Sequence, residues 1–182
     1  MWQDPLLGLF DKNVEGLPLG EHYGGLADKL KSAAERSGTF RPVFEFYALA
    51  SSVLALKAEL GLKMRGAYLA RDRAALEALV ERTLPELERR VTALRGYHRS
   101  LWFAVNQPPG WEVMDLRYGA LGARLDTARE RLSSYLSGRL DRIPELERER
   151  RPWNDRPGLD GLICNSYDRI VSASRLAYSW KM

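Results

Sequence analysis

The stretch Trp102-Phe-Ala-Val-Asn106-Gln-Pro-Pro-Gly110-Trp111-Glu-Val-Met-Asp115-Leu-Arg117-Tyr-Gly119-Ala-Leu-Gly122 decides the fold, because it joins two long helical patterns through a proline corner. Upstream, Val80, Leu84, Leu87, Val91, Leu94, His98, Leu101 and Val105 recur in alternating steps of four and three, as one face of an α-helix requires. Downstream, Met114, Tyr118, Leu121, Leu125, Ala128, Leu132 and Tyr135 repeat the same rhythm. A residue before proline avoids the helical region, so Pro108 and Pro109 end the first run. The connection at 107–110 is short, which makes the two helices antiparallel neighbours with facing seams.

Working outward, Asp72 is a natural N-cap for the segment that reaches Asn106, with Pro85 expected to kink or split it. A third rod is expected from Pro42 to Ala70, where Val43, Phe46, Leu49, Val53, Leu56 and Leu60 form the stripe. Around these three lie shorter pieces: a capped turn at Asp4–Phe10, a Gly/Pro-rich loop at 11–20, and an amphipathic helix from His22 to Arg36 that stops near Gly38. A short helix at Arg142–Arg150 and a loop at 151–161 follow. The tail is balanced between helical and extended readings. The expected fold is all-α: an antiparallel bundle of three long helices with additional short helices, in one domain over 1–182.

Composition agrees with a globular protein. Hydrophobic residues make up 45% and charged residues 29% of the chain, and 182 residues can bury about 70% of their unfolded surface without a metal or disulfide. No apolar run reaches the roughly 20 residues that span a bilayer, so no membrane association is expected. No secretory leader is visible at Met1-Trp-Gln-Asp-Pro, and the single Cys164 suits a reducing compartment, which slightly favours the cytoplasm. The net charge of +4 is spread over mixed-sign faces such as Glu86-Leu-Glu-Arg-Arg90, not gathered into a basic stripe, which argues against nucleic acid. Glu59 with Lys63, Glu86 with Arg90 and Glu147 with Arg151 have the spacing of helical ion pairs.

Catalytic and cofactor patterns are missing. There is no metal-ligand spacing and no phosphate loop, so no cofactor is expected. His22 and His98 are far apart in sequence, and His98 falls on an apolar stripe, where a hydrogen-bonded core histidine is the simpler reading. The acidic residues lie mostly on polar helix faces. What draws attention is the aromatic corner, where Tyr97, Trp102 and Trp111 stand with Asn106, Asp115 and Arg117. These six are a candidate interface or sugar-contact patch, since aromatic faces suit either use. The plain alternative is that the indoles plug the bundle end while the charged groups cap or pair.

At this corner the chain resembles the helical region that follows the catalytic barrel in a bacterial branch of glycoside hydrolase family 20, the β-N-acetylhexosaminidases. The residues that carry the likeness are Trp102, Asn106, Pro108, Gly110, Val113, Asp115, Arg117 and Gly119, then Asp141-Arg-Ile-Pro-Glu-Leu-Glu147. The opening Asp4-Pro-Leu-Leu-Gly-Leu-Phe-Asp11 is similar to the segment that leaves the barrel, so residues 1–20 would be the linker and 151–182 a loop and tail. Gln107, Met114 and Ala120 depart from the family pattern. The resemblance implies chemistry on a barrel, where an adjacent Asp-Glu pair works with the substrate's own acetamido group. No Asp-Glu dipeptide occurs in this chain. It therefore implies a non-catalytic accessory domain whose partner is the N-terminal barrel of the same chain, with a homodimer as a further option. A stand-alone helical interaction module is the alternative.

Overall fold

A computed structural model describes residues 1–159, so the tail at 162–182 and Cys164 lie outside the described residues. All regular structure within them is helical: α1 (Asp11–Val14), α2 (Leu19–Ala34), α3 (Arg41–Lys57), α4 (Leu60–Leu69), α5 (Arg73–Ala78), α6 (Leu84–Val105), α7 (Trp111–Leu136) and α8 (Pro144–Glu147). The all-α expectation holds, but four helices are long rather than three. The rod expected from Pro42 to Ala70 is divided between α3 and α4, while α2 begins earlier than His22 and nearly equals α3 in length.

Long-range contacts break that rod. Glu59, between the two helices, turns its carboxylate onto the backbone N–H of Gly20 at 2.8 Å, satisfying an orphan donor at the start of α2. Two residues on, Gly61 lies so close to the buried Asp11 that a Cβ there would stand 2.8 Å from both carboxylate oxygens. The expected loop at 11–20 likewise holds the turn α1, which carries that Asp11.

The long helices lie side by side in chain order, α2 on α3, α3 on α6 and α6 on α7. Contacts between α3 and α6 show the direction. Arg90 donates to the Ser52 carbonyl at 2.8 Å and Tyr97 donates to Glu45 at 2.5 Å, so seven residues forward on α6 match seven backward on α3. The α6–α7 pair behaves alike, through Arg95 with Asp115 and Trp102 with Trp111. The predicted seams are buried: Leu84, Leu87, Val91 and Leu94 face Leu121, Leu125, Ala128 and Leu132 within one core. Val105, last in its heptad series, departs from the pattern at 81% exposed, because α6 outruns its neighbours there.

Two helix boundaries follow local chemistry. Asp72 caps α5 as expected, accepting from Ala75 N at 3.0 Å. Just before it, Arg71 adopts φ +54°, closing α4 with Asp72 N bonded to the Ala67 carbonyl and Arg71 N to that of Tyr68. The segment carrying Pro85 is split, as expected, into α5 and α6. The division is a π-helical turn over the preceding residues Leu79–Thr83, with Leu84 N bonded to the Leu79 carbonyl. This moves aside the carbonyl that the proline ring would strike.

The segment before α1 is packed, with Leu6 wholly buried in the core. Asp4 caps its turn, accepting from Leu6 N at 2.8 Å and Leu7 N at 2.9 Å, and its other oxygen takes a hydrogen bond from Arg124 of α7. Of the three expected helical ion pairs, Glu59–Lys63 at 3.0 Å and Glu86–Arg90 at 2.7 Å form. Glu147 instead meets Arg142, and Arg151 meets Glu149, because α8 ends at Glu147 and leaves no turn to carry the spacing.

Candidate functional site

The corner is built around His98. Its ring contacts Phe46 of α3 at 4.8 Å, Trp111 at 5.1 Å, Tyr118 at 6.1 Å and Trp102 at 6.5 Å, and its Nδ1 is 3.2 Å from the Tyr118 hydroxyl. Burial among these rings holds the imidazole below its ordinary pKa, and pushes the Tyr118 hydroxyl up to about 12. His98 is thus a core histidine with a phenol partner. Trp2 leans edge-on against Tyr118 at 5.1 Å, which brings the N-terminal segment into the same cluster.

The six corner residues have different surroundings. Trp111 is only 4% exposed and stacks with Trp102 and Phe103; its indole N–H finds no hydrogen-bond partner among the described residues. Trp102 donates to the Gln107 carbonyl at 3.1 Å, which ties the corner back onto α6. Gly110 makes the turn possible, at φ +102° with Trp102 so near that a Cβ would lie 3.1 Å from its ring. Tyr97 is committed to Glu45, and burial together with that carboxylate pushes its hydroxyl up to about 12. Asp115 pairs with Arg95 at 2.6 Å across the α6–α7 seam. Asn106 and Arg117 make no side-chain hydrogen bond or ion pair among the described residues, and Asn106 is exposed.

The chain matches the family model described as the Glycoside Hydrolase 20C C-terminal domain over residues 1–164. It belongs to that family. No curated protein matches it significantly. In this glycoside hydrolase 20C C-terminal domain the matched span takes in both the corner and the packed N-terminal segment.

Outside the corner, ionisable groups also converge around Asp11. Asp11 accepts from Gln3 Nε2 at 2.7 Å and lies 3.5 Å from Arg150 Nε, too poorly aligned for a hydrogen bond; the guanidinium also donates to the Leu6 carbonyl at 2.5 Å. Lys57 donates to the Gln3 carbonyl at 2.7 Å. Burial dominates all three, raising Asp11, lowering Arg150 and bringing Lys57 down to about 8. Their partners are the backbone and one another, so the cluster ties the N-terminal segment to α3 and to the residues after α8. Sequence reasoning missed it, since positions 3, 11, 57 and 150 share no spacing.

Among the described residues, no group of three or more His, Cys, Asp or Glu gathers as metal ligands, and no helix is long and apolar enough to cross a membrane. A cleft of about 700 Å³ runs between α2, α3 and α6 over Gly24, Ala27, Ala48 and Ser52, and Tyr97 of the corner borders it.

Proposed function

We propose that this chain is a non-catalytic accessory domain of a β-N-acetylhexosaminidase-like hydrolase, and that it braces a catalytic barrel lying N-terminal to it in the same polypeptide. The observation that carries this reading is the family match over 1–164, in a domain whose buried ionisable groups are spent on internal ties. A brace needs rigidity rather than reactivity, and continuous apolar seams between long antiparallel helices supply it. Bond cleavage would fall to the preceding domain, by the substrate-assisted route that needs an Asp-Glu pair. The corner patch of Tyr97, Trp102, Asn106, Trp111, Asp115 and Arg117 then belongs to the region of contact with the barrel and is not a sugar subsite.

Deleting residues 1–182 from the full-length hydrolase tests the role. The expected result is a barrel that melts at lower temperature while retaining measurable turnover of an aryl N-acetylglucosaminide. An unchanged melting temperature would refute bracing. Turnover of the same substrate by the isolated 182-residue chain would refute the non-catalytic assignment.

A further inference from the structure

Among the described residues, five exposed large apolar side chains gather at one end of the bundle, while others, such as Leu7, Leu9, Leu17 and Leu69, are exposed elsewhere. Phe40, which closes the 3₁₀ turn leading into α3, and Val43 and Tyr47 in its first turns stand at i, i+3 and i+7, each well exposed, with Phe40 at 68%. That spacing puts them on one helix face. Phe103 and Val105 project from the last turn of α6. Tyr97, whose hydroxyl lies 3.4 Å from the Pro42 carbonyl, fixes the start of α3 beside the end of α6, so both groups share one end of the bundle. Phe103 is six residues beyond Tyr97, about 9 Å along the helix.

Singly exposed apolar residues need no explanation, but a cluster of large ones at one end marks a contact surface. We infer that this end, with the α3 stripe of Phe40, Val43 and Tyr47 and the α6 pair of Phe103 and Val105, is the face that docks the preceding catalytic domain. The inference rests on the bracing role proposed above and names the surface that performs it.

The occupant is chosen by the path of the chain. In a C-terminal domain, the catalytic domain is joined through the first residues, and Trp2 sits edge-on against Tyr118. Tyr118 contacts His98, His98 contacts Trp111, and Trp111 carries Phe103 at 6.0 Å on its outer side. An unbroken set of ring contacts thus runs from the joining segment to the exposed surface. Asn106 and Arg117, free of internal partners among the described residues, supply polar groups to the same end. An apolar centre with a polar margin is the usual build of a stable interface.

Hydroxyl-radical footprinting of the full-length hydrolase, read residue by residue by mass spectrometry, tests the assignment. Phe40, Tyr47 and Phe103 should lose modification, approaching the level of the buried Trp111, while the exposed Leu69 at the end of α4 stays reactive. The protection should persist on dilution. If Leu69, Leu7 or Leu9 is protected and the α3 stripe is not, the face is wrong while bracing survives. If none is protected, bracing fails as well. Protection that vanishes on dilution assigns the surface to a second copy of the chain and overturns the proposal. A triple variant, Phe40→Ser with Val43→Ser and Tyr47→Ser, adds an independent check. These side chains are solvent-facing, so the helices should persist, yet the shared thermal transition of the two domains should split into two. A single unchanged transition would count against this face.

Discussion

Replacing Tyr68 by Phe removes one oxygen atom and tests how the segment after α7 is held. The hydroxyl of this buried tyrosine donates to Glu147 Oε1 at 2.7 Å and accepts from the Ile143 backbone N–H at 3.0 Å. Phe fills the same volume, so no cavity term enters. The buried N–H of Ile143 is left without an acceptor, which costs about 1–3 kcal/mol. The Glu147 bond adds little, since that carboxylate is solvated and keeps Arg142. The expected loss is therefore about 1–3 kcal/mol, or about 2–12 °C in melting temperature for a domain of this size. Urea unfolding gives the free energy, and amide hydrogen exchange at Ile143 gives its location. Glu147→Gln is the control and should cost clearly less, because it spares the Ile143 N–H. The Tyr68 contact and Arg142 hold the Glu147 carboxyl below its ordinary pKa. Its contribution is thus present above the unfolded carboxylate pKa, near 4.3, and is lost as pH falls through the folded value. A Tyr68→Phe variant within about 0.5 kcal/mol of the parent, with unchanged exchange at Ile143, would refute the account, since it would mean the buried donor costs nothing.

Three further expectations come from the core and the corner. Leu125→Ala, at a fully buried seam position, should cost about 2–5 kcal/mol in denaturant unfolding. Gly110→Ala should cost about 1–3 kcal/mol, from the left-handed backbone and the nearby Trp102 ring, and should alter tryptophan fluorescence without loss of helical circular dichroism. His98 is held below its ordinary pKa by burial, so the unfolded state binds its proton more readily. Stability should therefore decline as pH falls below about 6.5, and His98→Phe should flatten that part of the profile in melts taken from pH 7 to 5.

The two seams that meet at the corner were legible because each residue's environment is set by neighbours three and four positions away. Asp72 and the paired prolines were legible for the same reason, since caps and proline constraints act within one turn. The division of α3 from α4 was not, because its causes, Gly20 with Glu59 and Asp11 with Gly61, join positions 39 and 50 apart in sequence. Arg71 shows another limit: glycine is the usual signal for a left-handed helix end, and an arginine in that conformation gives no warning. At the corner, the aromatic residues were found, but periodicity alone cannot rank them. Trp111 and Val105 both follow apolar patterns, yet one is enclosed by rings and the other stands beyond the end of the neighbouring helices.

Asn13 holds the two ends of the described chain together. Its amide donates to the carbonyls of Arg156 and Gly158, each at 2.8 Å, while its oxygen receives the Trp153 N–H at 2.8 Å. The domain is thereby a ring closed by hydrogen bonds, and a ring can be opened anywhere its tension is low. A permuted protein, with residues 1 and 159 spliced through a short spacer and fresh termini cut at Gln107, would keep every helical seam intact. Order along the polypeptide would then prove secondary to which helices lie side by side.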